Sequence, residues 1–192
     1  MVILSIGVAL FMGMHLVPSV PAVRERIINR VGFGAYRGLF SLAAVVGLVL
    51  IVLGMRWAPT VPMWTPPGWG FTAAVVGMPL AFVFLAASYL PTNLKRWVRH
   101  PMLTAVAIWA GLHLLCNGDL ASLILFGSFG AFAIFDIVSA NRRGTVHAGD
   151  PVAGWRDLIP IAGGLLVYFL VLHYHQALFG RSVLPFWKAL WT

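Results

Sequence analysis

Long apolar runs, broken by short polar stretches, set the pattern of the chain. Six runs stand out: 2–22, 38–55, 69–90, 101–116, 120–140 and 158–179. A helix needs about 20 apolar residues to cross a bilayer. The pattern therefore predicts an all-α, polytopic membrane bundle of six transmembrane helices, with residues 1–192 as one domain. The fourth run is short, and residues 97–101 are expected to add an interfacial first turn. Between the second and third runs, 56–69 (RWAPTVPMWTPPGW) holds Pro59, Pro62, Pro66 and Pro67. Proline breaks regular helix, so this segment is expected to lie along the outer surface as a cap. Asn117-Gly118-Asp119 reads as a tight turn, with Gly118 allowing positive φ and Asp119 capping the fifth span.

Composition agrees. Of 192 residues 60% are hydrophobic and 9% charged, against roughly 25% charged in soluble domains. A water-soluble fold is excluded. The net charge of +8 would suggest nucleic acid in a soluble protein, but no basic stripe with interleaved aromatics is present, so no nucleic-acid partner is expected. The basic residues instead follow membrane topology. Arg24, Arg26, Arg30 and Arg37 follow span 1; Lys95, Arg96 and Arg99 follow span 3; Arg142, Arg143 and Arg156 follow span 5. Arg56, Arg181 and Lys188 fall on the other side. The positive-inside rule then places both termini on the periplasmic or otherwise non-cytoplasmic side. Tryptophans agree with that frame: Trp57, Trp64, Trp69, Trp187 and Trp191 mark the outer side, and Trp97 and Trp155 the inner side. No Lys or Arg precedes Arg24, so the first run lacks a signal peptide's positive n-region and is read as a retained span.

Ionisable groups inside a membrane are costly and tend to mark function. His15 lies in span 1 and His113 in span 4. His100 opens span 4, His173 and His175 close span 6, Asp119 follows span 4, and Asp136 lies in the last turns of span 5. His147 reads as a solvated loop residue. Counting from Arg24 and Arg99, His15 is about 13 Å and His113 about 21 Å from the inner charged edge. A neutral imidazole at such depth either bonds a neighbouring helix or ligates haem iron; two of them could clamp one haem. The Met residues Met12, Met14, Met78 and Met102 read as packing. The lone Cys116 excludes an intrachain disulfide and a cysteine zinc site. Arg99-His100-Pro101 reads as a helix start, with Pro101 in the first turn. Its two basic side chains suit a lipid phosphate or a haem propionate, or simply follow the topology.

Several segments resemble the NnrU family and, through it, the 15-cis-zeta-carotene isomerases. They are MHLVPSVPAVR (14–24), GFGAYRGLFSL (32–42), the WAP…W…PP stretch (57–67) and RHPMLTAVAIWAGLHLLCNGDLASLILFG (99–127). The last block is the most specific. The resemblance implies a membrane protein that binds haem b, with iron held at the positions of His15 and His113. It also implies either haem-dependent cis–trans isomerisation of a polyene or an accessory, nitric-oxide-related role in denitrification. The isomerases carry a cysteine one turn before the later histidine; here that position is Ala110, so thiolate ligation by that route is not available. A methyltransferase reading, suggested by RHP near the inner face, would need paired acids near the chain end, and 181–192 (RSVLPFWKALWT) has none. A structural membrane protein without catalysis is the remaining reading.

Overall fold

The computed structural model describes residues 1–144, 150–180 and 183. Six apolar helices account for most of it. They are α1 (Val2–Ser19), α3 (Phe33–Trp57), α4 (Gly70–Tyr89), α6 (Pro101–Cys116), α7 (Leu120–Arg142) and α8 (Leu158–Phe179). Five are long and apolar enough to span a bilayer, and α6 is a shorter apolar helix. Two small helices complete the set: α2 (Pro21–Val31) and α5 (Leu94–Trp97). A single 3-10 turn, Gly154–Asp157, leads into α8.

Predicted and observed spans agree closely at 101–116 and 158–179 and differ elsewhere for local reasons. The first run stops at Ser19, because Val20 precedes Pro21 and adopts an extended φ of −121°; a residue before proline is pushed out of the helical region. The chain then forms α2, an amphipathic helix where a loop was expected. Gly32, at φ +83°, turns it into α3, a conformation that favours glycine. The interfacial turn expected at 97–101 is instead the separate helix α5, followed by non-helical Val98 and His100.

The spans pack mainly on their neighbours in the order α3, α1, α7, α6, α4, α8. Small residues permit the close approaches: Gly7, Gly47 and Gly54 line the α1–α3 contact. Without water, membrane helices rely on such close packing and on satisfied polar groups. Pro79 within α4 cannot donate to the carbonyl of Val75. The Tyr168 hydroxyl, from α8, donates to that oxygen at 2.9 Å. The freed acceptor thus becomes a joint between helices.

The end of the bundle at the start of α1, termed outer after the predicted topology and the opposite end inner, is closed by backbone. Met63 and Trp64 donate to the Gly118 carbonyl at 2.7 and 3.1 Å, and Leu120 donates to Val61 at 2.9 Å. The proline-rich segment therefore caps the bundle as expected. Asp119 accepts from the Ser122 backbone (3.0 Å) and hydroxyl (2.8 Å), capping α7. Gly118 is required for a different reason than the one expected. Its φ is not positive; a Cβ there would lie 2.0 Å from the Trp64 carbonyl oxygen.

Candidate functional site

His15 sits one turn before the inner end of α1, and His113 one turn before the outer end of α6. Their local chemistry is the same. The Nδ1–H of His15 donates to the Phe11 carbonyl at 2.7 Å, and that of His113 to the Trp109 carbonyl at 2.8 Å. A carbonyl only accepts, so Nδ1 carries a proton, and in the neutral ring the lone pair is on Nε2. No described residue bonds either Nε2. Neither atom is sealed in protein, because no fully buried side-chain N or O lacks a partner among the described residues.

An aromatic run joins the two rings. His15 stacks on Phe11 with centroids 4.1 Å apart, Phe11 on Phe129 at 5.4 Å, and Phe129 meets Trp109 at 5.5 Å. Trp109 is 5.2 Å from His113, which also stacks on Phe126 at 4.4 Å. Phe132 edges His15 at 6.2 Å. One face of α7 thus presents Phe126, Phe129 and Phe132, residues three apart in sequence and neighbours on a helix surface. A π-helical turn at Leu123–Gly127 sets Phe126 against His113. Such turns recur at functional positions in helices.

Phe126 and Phe132 are six residues apart, about 9 Å along the helix. The histidines therefore contact α7 at two levels. Because α1 and α6 run in opposite directions and side chains tilt toward a helix's N-terminus, the two rings lean toward the shared level of Phe129. With metal–nitrogen bonds of about 2 Å, two imidazoles on one metal ion would bring their nitrogens about 4 Å apart. The donor chemistry would suit metal ligands: each imidazole is fixed through Nδ1 by a carbonyl, as ligating histidines are, and offers Nε2. A shared iron requires the Phe11–Phe129–Trp109 stack to part.

The other candidates lie apart. His100 is buried at the inner end of α6 and shares a hydrogen bond of 3.1 Å with Asn141 Oδ1; Arg99 is exposed beside it. His113 lies thirteen residues further along α6, about 20 Å away, so these two are not gathered with it. Asp136 accepts from the Ser19 hydroxyl at 2.7 Å and pairs with Arg143 at 3.4 Å. Arg143 also donates to the Ser19 carbonyl at 2.9 Å. This clip ties the inner ends of α1 and α7 one turn below His15. His173 is exposed, whereas His175 is half-buried. Cys116 donates to the Gly70 carbonyl at 3.3 Å. His147 lies outside the described residues. Among the described residues, no group of three or more His, Cys, Asp or Glu could hold a metal ion. The aromatic residues around the imidazoles were missed at the level of sequence; the three-residue spacing of Phe126, Phe129 and Phe132 was the available signal.

The family model described as NnrU protein matches residues 3–183. The chain belongs to the NnrU family. The match takes in α1 through α8, so both imidazoles and the aromatic run lie within the NnrU region. Curated proteins and solved structures gave no match to the chain.

Proposed function

We propose that this NnrU protein binds haem b in the membrane, with His15 and His113 supplying imidazole to the iron. The observation that carries the reading is the matched pair of histidines, each with Nδ1–H fixed on its own helix and Nε2 unbonded and unsealed. A histidine serving only as a helix–helix hydrogen bond would spend its second nitrogen on a neighbour; neither does. The resemblance of the 14–24 and 99–127 segments to the isomerases points to the same two residues.

Within this reading the protein's own residues do three things. The Phe11 and Trp109 carbonyls orient each imidazole through Nδ1. The phenylalanines of α7 keep water away. The two carboxylates near the spans are committed to structure, Asp119 to Ser122 and Asp136 to Ser19 and Arg143. No acid–base dyad is therefore formed with either histidine, and general acid–base chemistry has no positioned partner. Haem would supply redox and ligand-binding chemistry when bound. The reaction proposed is haem-dependent cis–trans isomerisation of a polyene, which needs no net proton transfer and whose substrate enters from lipid. The alternative is nitric oxide binding without catalysis, an accessory role in denitrification. A bacterial inner membrane is proposed as the site, with both termini facing the periplasm from the split of basic residues.

Absorption spectra of detergent-purified variants test the site. His15→Ala and His113→Ala should each lose or reshape the Soret band, and the exposed His173→Ala should not. Equal spectra for all three would remove the ligand assignment. Mixing reduced protein with a cis-polyene and, separately, with nitric oxide distinguishes the two activities: isomer conversion supports the first, and a Soret shift without conversion supports the second.

A further inference from the structure

The helix α2 is unlike every span in the bundle: none of its residues is buried. Its apolar arc carries Val23, Ile27, Ile28 and Val31, with Val20 just before the helix, and the three valines are 41–45% exposed. Glu25, Arg26 and Asn29 lie on the opposite arc and Arg30 at its edge; Arg24 falls within the apolar arc, with its guanidinium 5.9 Å over the Tyr36 ring. A helix with one apolar and one cationic face lies in the plane of a membrane interface. Arg37 follows on the first turns of α3, with its guanidinium 5.7 Å over the Phe33 ring. Arg26, Arg30 and Arg37 are exposed, and none is paired with a carboxylate. Their ends therefore reach the interface as uncompensated positive charge, beside exposed valines that suit acyl chain.

We propose that α2 and Arg37 form a binding site for the headgroup of an anionic phospholipid. Guanidinium groups pair well with phosphate oxygens, and the valine edge gives the attached acyl chains an apolar surface that a free anion would not use. A basic residue near an anionic membrane surface is worth about a fivefold change in binding, so three together suffice to select one lipid class. The site stands on the interfacial helix alone and does not depend on haem.

The test uses the full chain in membranes of phosphatidylethanolamine and phosphatidylglycerol in equal amounts. Protein extracted into mild detergent should carry phosphatidylglycerol enriched several-fold over the bulk ratio, measured by lipid mass spectrometry. The triple variant Arg26→Gln/Arg30→Gln/Arg37→Gln should return to the bulk ratio. Lys95→Gln/Arg96→Gln/Arg156→Gln, with the same charge lost elsewhere on that face, should keep the enrichment. A second measurement needs no variant: phosphatidylglycerol should raise the melting temperature of wild-type protein in nanodiscs. Absence of enrichment in the wild type, equal loss in both triple variants, or displacement of the lipid by millimolar inorganic phosphate would each overturn the proposal.

Discussion

The two ends of the bundle are fastened by different chemistry. At the outer end, backbone pairs with backbone: Met63, Trp64 and Leu120 donate across the turn at Gly118, and Asp119 is the one carboxylate involved. At the inner end, side chains hold the elements. Ser19, Asp136 and Arg143 join α1 to α7. Thr92 and Asn93 join the chain after α4 to Asp157 before α8, at 2.5 and 2.7 Å. His113 sits under the backbone-sealed end and His15 above the side-chain-fastened one. The difference teaches that the same membrane constraint, satisfaction of every polar group away from water, can be met rigidly or in separable steps. The outer end should fail at a single added side chain, and the inner end should weaken one bond at a time.

Substitutions can break or sharpen that contrast. The largest effect is expected for Gly118→Val. Its Cβ would lie 2.0 Å from a carbonyl oxygen that cannot swing aside, so a loss of about 3 kcal/mol is expected, read as a large drop in melting temperature in detergent. Asp119→Ala removes two capping bonds from a buried position and should cost about 1–2 kcal/mol. Asp136→Asn, at the inner end, keeps the shape but removes the charge facing Arg143 and should cost about 1 kcal/mol. If Asp136→Asn proved more damaging than Gly118→Val, the contrast would be reversed. Tyr168→Phe, which frees the Val75 carbonyl beside Pro79, should be the mildest, near 0.6 kcal/mol, as buried membrane hydrogen bonds average.

Much of this was legible in the chain itself. The six apolar runs specified the spans because a bilayer admits little else, and 158–179 was read to the residue. The cap over the outer end followed from its four prolines, and the role of Asp119 from its place before an apolar run. Three features were not legible. Interfacial α2 was hidden because a short amphipathic stretch rich in arginine looks like a loop between spans. The reason for Gly118 was a contact with residues more than fifty positions earlier, which no local pattern reveals. The π turn at Leu123–Gly127 leaves no signature in composition. As for the site, burial singled out His15 and His113, but the shared Nδ1 arrangement and the aromatic run between them depend on which faces the helices present.

The central claim is that this NnrU protein carries haem b. The most direct measurement is a pyridine haemochrome assay on wild-type protein, expressed with added haem precursor and purified in detergent. The account predicts a Soret band and a haem b haemochrome spectrum near one haem per chain. Colourless protein that is folded and fully loaded into detergent would contradict it.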